Sequence, residues 1–480
     1  MFVPEFLAMP GSPALLLRDA HSLDAIVDGH VARQRQYFDS GVSLDREFRE
    51  TQLGLLGHAI RKFEPKILAA LHDDLRKSST EAYATEIGFT LSELRHTRKH
   101  VGKWMRGSSW FSPLAVGPSR SRIHMQPLGL NLIIAPWNYP FQLAIAPLVA
   151  AIAAGNVALI KPSELAPATS AVVAELVADT FAPEFVAVME GEIAVAQALL
   201  ARSWDHIFFT GSPSVGRIVA RAAADQLCRV TLELGGKSPA IVTATADIEV
   251  TARRLAWGKF TNAGQTCIAP DYLMVHASVH DRVIDALREA IRSFYGADPR
   301  QSADFGRIVN ARHWRRLVGL IDADKVAIGG NHDEDDRYIA PTVLIDVEPD
   351  DAVMADEIFG PLLPVMRYEA LDDAFAIIRR HRNPLAAYLF TADTAEEQRF
   401  VEQVSFGGGC INNTLVHMAD PDLPFGGIGT SGLGAYHGRT GFESFSHRKS
   451  VMRTGTFLDP SVKYPPYTDA KLSIVRKLIG

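Results

Sequence analysis

The sequence predicts a doubly wound α/β protein built in two lobes with a small projecting sheet. Three observations carry that expectation. Short apolar runs alternate with alanine-rich stretches of helical length, the alternation resumes after Gly235, and 480 residues exceed what one hydrophobic core usually fills. The runs are LNLIIA at 130–135, VALIK at 157–161, FVAVM at 185–189, HIFFT at 206–210 and RVTLEL at 229–234. They read as parallel strands, with helices over Ser170–Asp179 and Ser214–Ala224 between them. Ahead of them, from about Leu44 to Met105, apolar residues such as Leu53, Leu56, Ile60 and Phe63 recur at helical spacing, so an α-helical section precedes the first lobe. The second lobe shows strand-like YLMVH at 272–276, a helical stretch over Arg282–Phe294, and YLFTA at 388–392. Trp110–Gln126 and Phe445–Thr454 resemble strands without a helical partner, which predicts the projecting sheet. The acidic run Asp333–Asp336 reads as a solvated loop.

Composition excludes several classes. With 49 Lys and Arg against 55 Asp and Glu, the net charge of −6 gives no overall field for nucleic acid or anionic lipid. Three widely spaced cysteines, Cys228, Cys267 and Cys410, offer neither a disulfide framework nor a cysteine zinc site, and fit a reducing cytoplasm. The N-terminal MFVPEFLAMPGSPALLL carries Glu5 and three prolines without a basic leader, so it reads as a surface tail rather than a signal peptide. The apolar stretch 143–160 is interrupted by Pro147, Gly155 and Asn156, which favours a core helix, a turn and a buried strand over a membrane span. His96 with His100, and His276 with His280, have metal-like spacing but no acidic or cysteine partner; Arg95, Arg98 and Lys99 surround the first pair. No metal is expected.

Candidate chemistry gathers at five places. Cys267 lies in FTNAGQTCIAPDY, a stretch too rich in Gly, Asn, Thr and Pro for the interior of a helix or strand, so a loop can expose it as a nucleophile. A buried structural thiol is the bland alternative. Glu233, in TLELGGKSP, ends a predicted strand; it can act as a general base if burial raises its pKa, or simply pair with Lys237. Asn138, in APWNYPF, sits on a turn stiffened by Pro136 and Pro140, where its amide can stabilise an oxyanion and Trp137 and Tyr139 can shelter it. Gly211 and Gly216, in HIFFTGSPSVG, mark a strand-to-helix turn able to face a phosphate, although an ordinary turn fits as well. Lys161 and Glu164, in LIKPSE, close another strand and can bond ribose hydroxyls or form a surface ion pair.

Taken together, PWNYP, KPSE, FFTGSPSVG, LELGGKSP, GQTCIAPDY, EIFGP and LPFGGIGTSGLGAYHG resemble the aldehyde dehydrogenase superfamily in content and order, from roughly Leu44 to Met452. AGQTCIAPDY and YHGRTGFESFSHR are most similar to the class 3 branch, and within it to coniferyl aldehyde dehydrogenases and related fatty and aromatic aldehyde dehydrogenases. The resemblance implies a Rossmann-like NAD(P)-binding domain over 21–109 and 127–235, a catalytic domain over 236–436, and oligomerisation segments over 110–126 and 437–480, behind a tail over 1–20. It implies oxidation of an aldehyde to a carboxylic acid through a thiohemiacetal and a thioester. Cys267 would be the nucleophile, Glu233 the base, and Asn138 with the Cys267 backbone N–H the oxyanion hole. NAD, or NADP, would be held by Lys161, Ser163 and Glu164 at the adenosine ribose and by Gly211, Ser212, Val215 and Gly216 at the pyrophosphate. Trp137 and Leu234 would line the cofactor site. Glu357, in EIFGP, would hold the nicotinamide ribose with Phe359 beside it. A cytoplasmic homodimer is implied, with no membrane anchor at the C-terminal SIVRKLIG. Two other readings stay open: a coenzyme A-acylating relative, against which Glu233 argues, and a catalytically silent relative, which should have lost Cys267, Glu233 or Asn138.

Overall fold

The structure is a computed structural model that describes residues 13–479 apart from 114, 115 and 117. Among the described residues the first lobe holds a six-stranded sheet in the order Gly432–Leu433, Arg229–Glu233, His206–Thr210, Leu130–Ile134, Val157–Lys161 and Val186–Val188. All neighbours run parallel except Gly432–Leu433, which pairs antiparallel with Arg229–Glu233. The strand order reverses at Leu130–Ile134: the chain moves outward on one side through Val157–Lys161, then crosses to His206–Thr210 on the other. A crevice forms at such a reversal, beyond the carboxyl ends of the strands.

The five apolar runs of the first lobe are all strands, within one or two residues of their expected limits. The helix Gln142–Ala154 is buried along its whole length, and Gly155 ends it in the left-handed region at φ 88°. A Cβ at Gly155 would lie 2.4 Å from the Arg49 guanidinium, so both conformation and space require glycine there. The helical opening is longer than expected. Arg46–Leu75 and Gly88–Trp104 fall where the periodicity puts them, but Pro13–Asp39 is helical too. Of the expected tail, residues 1–12 lie outside the described residues, and helix begins at Pro13.

The second lobe carries a seven-stranded sheet in the order Val326–Ile328, Thr342–Leu344, Leu362–Tyr368, Tyr272–His276, Pro239–Val242, Ala386–Phe390 and Gly408–Ile411. It is parallel apart from its first strand. The projecting sheet is antiparallel and joins Ser108–Phe111, Ser119–Pro127 and Ser446–Thr454, the last two paired along nine residues. Among the described residues no helix is long and apolar enough to cross a membrane.

The acidic run is not a free solvated loop. Asp336 receives Arg76, Arg300 and Arg307, Asp333 receives Arg300, and Glu334 receives Arg315. Arg76 belongs to the helical opening, so this network ties it to the second lobe. Three of the four charges that looked like surface decoration are matched by arginines, while Asp335 stays exposed.

Candidate active site

Cys267 reaches the crevice through a distorted turn. After the helix Ile248–Phe260, Asn262 and Ala263 take left-handed conformations at φ 54° and 50°, and Gly264 follows at φ 74°. A Cβ at Gly264 would lie 2.2 Å from the Gly360 carbonyl oxygen, so the chain passes there only as glycine. Glu81 accepts the Asn262 N–H at 2.8 Å. Gln265 fixes the next step: its Nε2 donates to the carbonyls of Asn262 and Arg307, and its Oε1 accepts the Val309 N–H at 3.0 Å. The thiol then stands with its own N–H and that of Ile268 near the sulfur. Burial pushes the Cys267 thiol up, Glu357 and Glu233 add to the shift, and those two N–H groups oppose it.

Asn138 faces the same turn. Its Nδ2 donates to the Gln265 carbonyl at 3.0 Å, which leaves the second amide N–H free of that bond. Its own carbonyl accepts Lys77 Nζ at 3.0 Å and Asn262 Nδ2 at 2.8 Å. Lys77 is fully buried and bonded to Glu86 at 2.5 Å; the other Glu86 oxygen accepts the N–H groups of Phe141 and Gln142 where a helix starts. Lys77 Nζ also lies 4.0 Å over the Tyr139 ring, and the Tyr139 hydroxyl meets Thr266 Oγ1 at 2.6 Å. One buried ion pair thus holds the entire turn that presents Asn138.

Glu233 ends its strand in register with Thr210, and its carbonyl accepts the Gly211 N–H at 3.0 Å. Its carboxylate is buried with neither oxygen hydrogen-bonded, and this burial pushes its pKa well above the ordinary carboxylate range. The Glu233–Lys237 pair that was open in sequence does not form. Lys237 instead bonds Asp271 at 2.6 Å and the carbonyls of Val353 and Asp356. Asp271 in turn accepts the Ile358 N–H, so Lys237 anchors the loop that carries Glu357.

A cavity of about 200 Å³ lies at the strand reversal, walled by Trp137, Asn138, Gly211, Ser212, Glu233, Leu234, Cys267, Glu357 and Phe359 together with Thr210, His313 and Arg316. Phe359, at φ 53°, sets its ring edge-on to Trp137 with centroids 5.3 Å apart, and His313 meets the same indole at 5.2 Å. Glu357 is pushed up to about 8 by burial and by Asp271; the Gly236 N–H, Lys237 and Lys259 act in the opposite sense. A Cβ at Gly235 would lie 2.0 Å from Glu357 Oε2, so that glycine makes room for the carboxylate.

Five expected cofactor residues stand outside the cavity wall. Lys161 Nζ bonds Glu164 Oε2 at 2.5 Å at the end of the neighbouring strand, and Ser163 Oγ accepts the Leu165 N–H. Val215 and Gly216 lie in the first turn of helix Pro213–Asp225, which Ser212 caps. The Gly216 N–H is taken by the Ser212 carbonyl, so what Gly216 provides is space: a Cβ there would meet Leu234 at 2.6 Å. Sequence reasoning missed Thr210, His313, Arg316 and the Lys77–Glu86 pair. Thr210 and Glu233 could have been linked by assuming that consecutive strands pair, but nothing local marks the others.

A second cavity of about 150 Å³ is walled by Phe89, Tyr139, Trp257, Leu415, Val416 and Met418, with Thr85, Thr261 and Thr266 the main polar members. A smaller chamber of about 30 Å³ shares Tyr139, Thr266 and Met418 with it, and Cys267, Glu233 and Thr210 with the first cavity.

A thiol and an unbonded carboxylate beside a glycine-edged crevice on a doubly wound sheet fit an enzyme that binds its ligands at the strand reversal. The family model for the aldehyde dehydrogenase family matches residues 19–451, and the chain belongs to that family. It is 48% identical over 444 residues to the 4,4'-diaponeurosporen-aldehyde dehydrogenase of Staphylococcus aureus (strain NCTC 8325 / PS 47), covering 92% of this chain and 97% of that protein. It is 42% identical to the dimeric NADP-preferring aldehyde dehydrogenase of Rattus norvegicus, covering 91% and 97% respectively. The solved substrate-bound state of Staphylococcus aureus AldH superposes with a TM-score of 0.93 at 46% identity, covering 95% of this chain and 99% of that one. The protein is accordingly an NAD(P)-dependent aldehyde dehydrogenase with relatives in the class 3 branch.

Proposed function

We propose that Cys267 is the nucleophile of this enzyme, Glu233 its hydrolytic base, and Asn138 with the Cys267 backbone N–H its oxyanion hole. The observation that carries the reading is the Glu233 carboxylate: buried, unbonded, and on the wall of both spaces that Cys267 borders. The Cys267 thiol gives up its proton to solvent as the sulfur adds to the aldehyde carbon, and the charge that develops on oxygen is met by the free Asn138 amide N–H and the Cys267 N–H. NAD(P), when bound, supplies the acceptor for the hydride that leaves this adduct. A thioester then remains on Cys267. Glu233 takes a proton from water, the oxygen adds to the thioester carbon, the C–S bond breaks, and the carboxylic acid leaves.

The crevice fits a nicotinamide cofactor. Gly211 and Gly235 leave room where a Cβ would collide with Phe209 and with Glu357, and the Trp137–Phe359 pair offers an aromatic wall. Lys161, Ser163 and Glu164 would meet the adenosine ribose, with Gly211, Ser212, Val215 and Gly216 on the pyrophosphate side, Leu234 beside them, and Glu357 at the nicotinamide ribose. NAD is the cofactor we infer as preferred, because the Glu164 carboxylate would repel a 2′-phosphate, while its Lys161 partner keeps NADP usable. The apolar wall of the second cavity suits aromatic, cinnamyl-type such as coniferaldehyde, or medium- and long-chain aliphatic aldehydes.

We assign the enzyme to the cytoplasm, as three free cysteines suggest, and to a homodimer, with 110–126 and 437–480 as its contact segments, 21–109 and 127–235 as the cofactor domain and 236–436 as the catalytic domain. One open edge supports the dimer: Ser446–Thr454 ends the projecting sheet.

Cys267→Ser should lower aldehyde turnover by roughly 10³-fold or more, since the hydroxyl is a far weaker nucleophile. Glu233→Gln should retain a first, rapid formation of reduced cofactor and lose the steady state. Values of kcat/KM for coniferaldehyde, benzaldehyde and octanal, each with NAD and NADP, assign substrate class and cofactor. Full turnover in Cys267→Ser would defeat the covalent route.

A further inference from the structure

We propose that one face of the projecting sheet docks on an anionic lipid membrane, with Arg106, Arg120, Arg122 and Arg453 against the headgroups and Phe111 at the boundary with the acyl chains. This surface lies apart from the reaction assigned above and uses none of its catalytic roles.

Charge is unevenly spread along the chain. Acids outnumber bases over the whole sequence, yet the strands Ser108–Phe111, Ser119–Pro127 and Ser446–Thr454 contain no Asp or Glu and carry Arg120, Arg122, Arg448, Lys449 and Arg453. The register gathers most of these on one face. Residues directly opposite in an antiparallel pair share a face, as do residues two apart on a strand. Phe111, Arg120 and Arg453 therefore form one row across the sheet, Ser109, Arg122 and Val451 the next, and His124 with Lys449 a third. The face forms a groove of about 710 Å³ walled by Arg106, Arg120, Arg122, His124, Val451 and Arg453. Among the described residues no carboxylate stands on its wall, and neither its four arginines nor Lys449 makes an ion pair. Arg120 is turned onto neutral neighbours instead: its Nε donates to Ser109 Oγ at 3.0 Å, and its guanidinium lies 5.8 Å from the centre of the Phe111 ring. Arg120 opposite Arg453 is a like-charge pair, which destabilises a sheet and which an anion laid over both would relieve.

Two features select a membrane over a nucleic acid. A single-stranded nucleic acid is held by rings set among the cations, whereas the row Arg120, Arg122 and His124 has no Phe, Tyr or Trp within it and Phe111 stands at its end. Phe111 is 84% exposed, with Val451 at 43% on the same face, and exposed apolar groups beside arginines suit the layer between headgroups and acyl chains. The apolar cavity of about 150 Å³ also suits aldehydes that dissolve in a bilayer, so a docked enzyme meets its substrate where the substrate collects. Dimerisation through the Ser446–Thr454 edge is compatible with this use, because strand addition occupies backbone N–H and C=O groups and leaves the side chains of the face in place.

Sedimentation with vesicles tests the proposal. Wild type should pellet at low salt with phosphatidylcholine vesicles containing about a quarter phosphatidylglycerol, stay in solution with phosphatidylcholine alone, and come off at roughly 0.5 M NaCl. Arg120→Ser with Arg122→Ser and Arg453→Ser should bind the anionic vesicles roughly 100-fold more weakly, while benzaldehyde turnover and the mass on a sizing column stay at wild-type values. Phe111→Ser should weaken binding several-fold and leave its salt dependence unchanged. Equal binding to both vesicle types, no binding to either, or no effect of the triple change overturns the proposal. A triple variant that loses its wild-type oligomeric mass also overturns it, since the face would then be a contact between copies. So does capture of a short single-stranded RNA, rather than vesicles, through the same arginines. If the triple variant does not fold, salt release of the wild type and Phe111→Ser decide the matter on folded protein.

Discussion

Two carboxyl groups near Cys267 show how burial rather than residue type sets behaviour. Glu233 has no bonded partner and its pKa is raised by burial alone, so its base form is populated only well above the ordinary carboxylate range. Glu81 is pushed up to about 7 by burial, against the pull of Lys77 and of the Asn262 N–H it accepts. Its folded pKa lies above its unfolded one, so the folded state binds the proton more tightly. That contribution to stability is fully present below the ordinary value of 4.5 and is lost as pH rises through about 7. Glu81→Gln keeps an acceptor for Asn262 without the ionisation. Its melting temperature should therefore sit near or below wild type at pH 5 and rise relative to wild type by pH 8. Paired thermal melts at the two pH values check this, and a difference that does not change with pH would show that Glu81 does not titrate in that window. The three residues given chemical roles, Cys267, Glu233 and Asn138, were legible because each sits in a motif with an unusual local composition.

At the scale of elements, the turn 136–141 depends on a pair that lies in the helical opening. Lys77 and Glu86 are both fully buried, and between them they bond the Asn138 carbonyl and the N–H groups that open helix Gln142–Ala154. Lys77→Met leaves Glu86 charged in the core, and removal of one partner from a buried pair typically costs about 3–5 kcal/mol. The variant should unfold at markedly lower denaturant and lose turnover beyond its loss of fold, because the Asn138 turn loses its clamp. Lys77→Met with Glu86→Gln should recover part of the stability while leaving turnover low. Denaturant melts and kcat on the single and double variants measure both, and a Lys77→Met protein of wild-type stability would show that the pair does not hold the turn. The strands were readable because parallel strands buried on both faces become continuous apolar runs. The helix Pro13–Asp39 was not, because its buried stripe includes Gln34, which bonds the Ala158 carbonyl in place of an apolar contact. Hydropathy alone also cannot see that Asp333, Glu334 and Asp336 have arginine partners at 76, 300, 307 and 315.

At the scale of the whole molecule, the doubly wound lobe and its ligand crevice follow from strand order, whereas the assembly depends on edges that sequence marks only as lone strands. Ser446–Thr454 is exposed from His447 onward, and among the described residues no strand lies on its outer side. An edge of that length is a template for indiscriminate pairing unless it is charged or covered. This one is charged on Arg448, Lys449 and Arg453, yet it also exposes Val451 at 43% and Met452 at 50%. That combination suits a specific partner edge better than open solvent: the charges reject arbitrary strands and the apolar residues reward a matched one. In the proposed homodimer the edge is buried across the subunit contact. Val451→Lys with Met452→Asp adds charge to both faces of the strand without touching the core, so each subunit should keep its melting transition to within a few degrees. Light scattering on a sizing column should then shift from twice the 52.5 kDa chain mass to a single chain mass. A wild-type enzyme that elutes as one chain would remove the dimer, and a double variant that stays dimeric would move the interface elsewhere on the molecule.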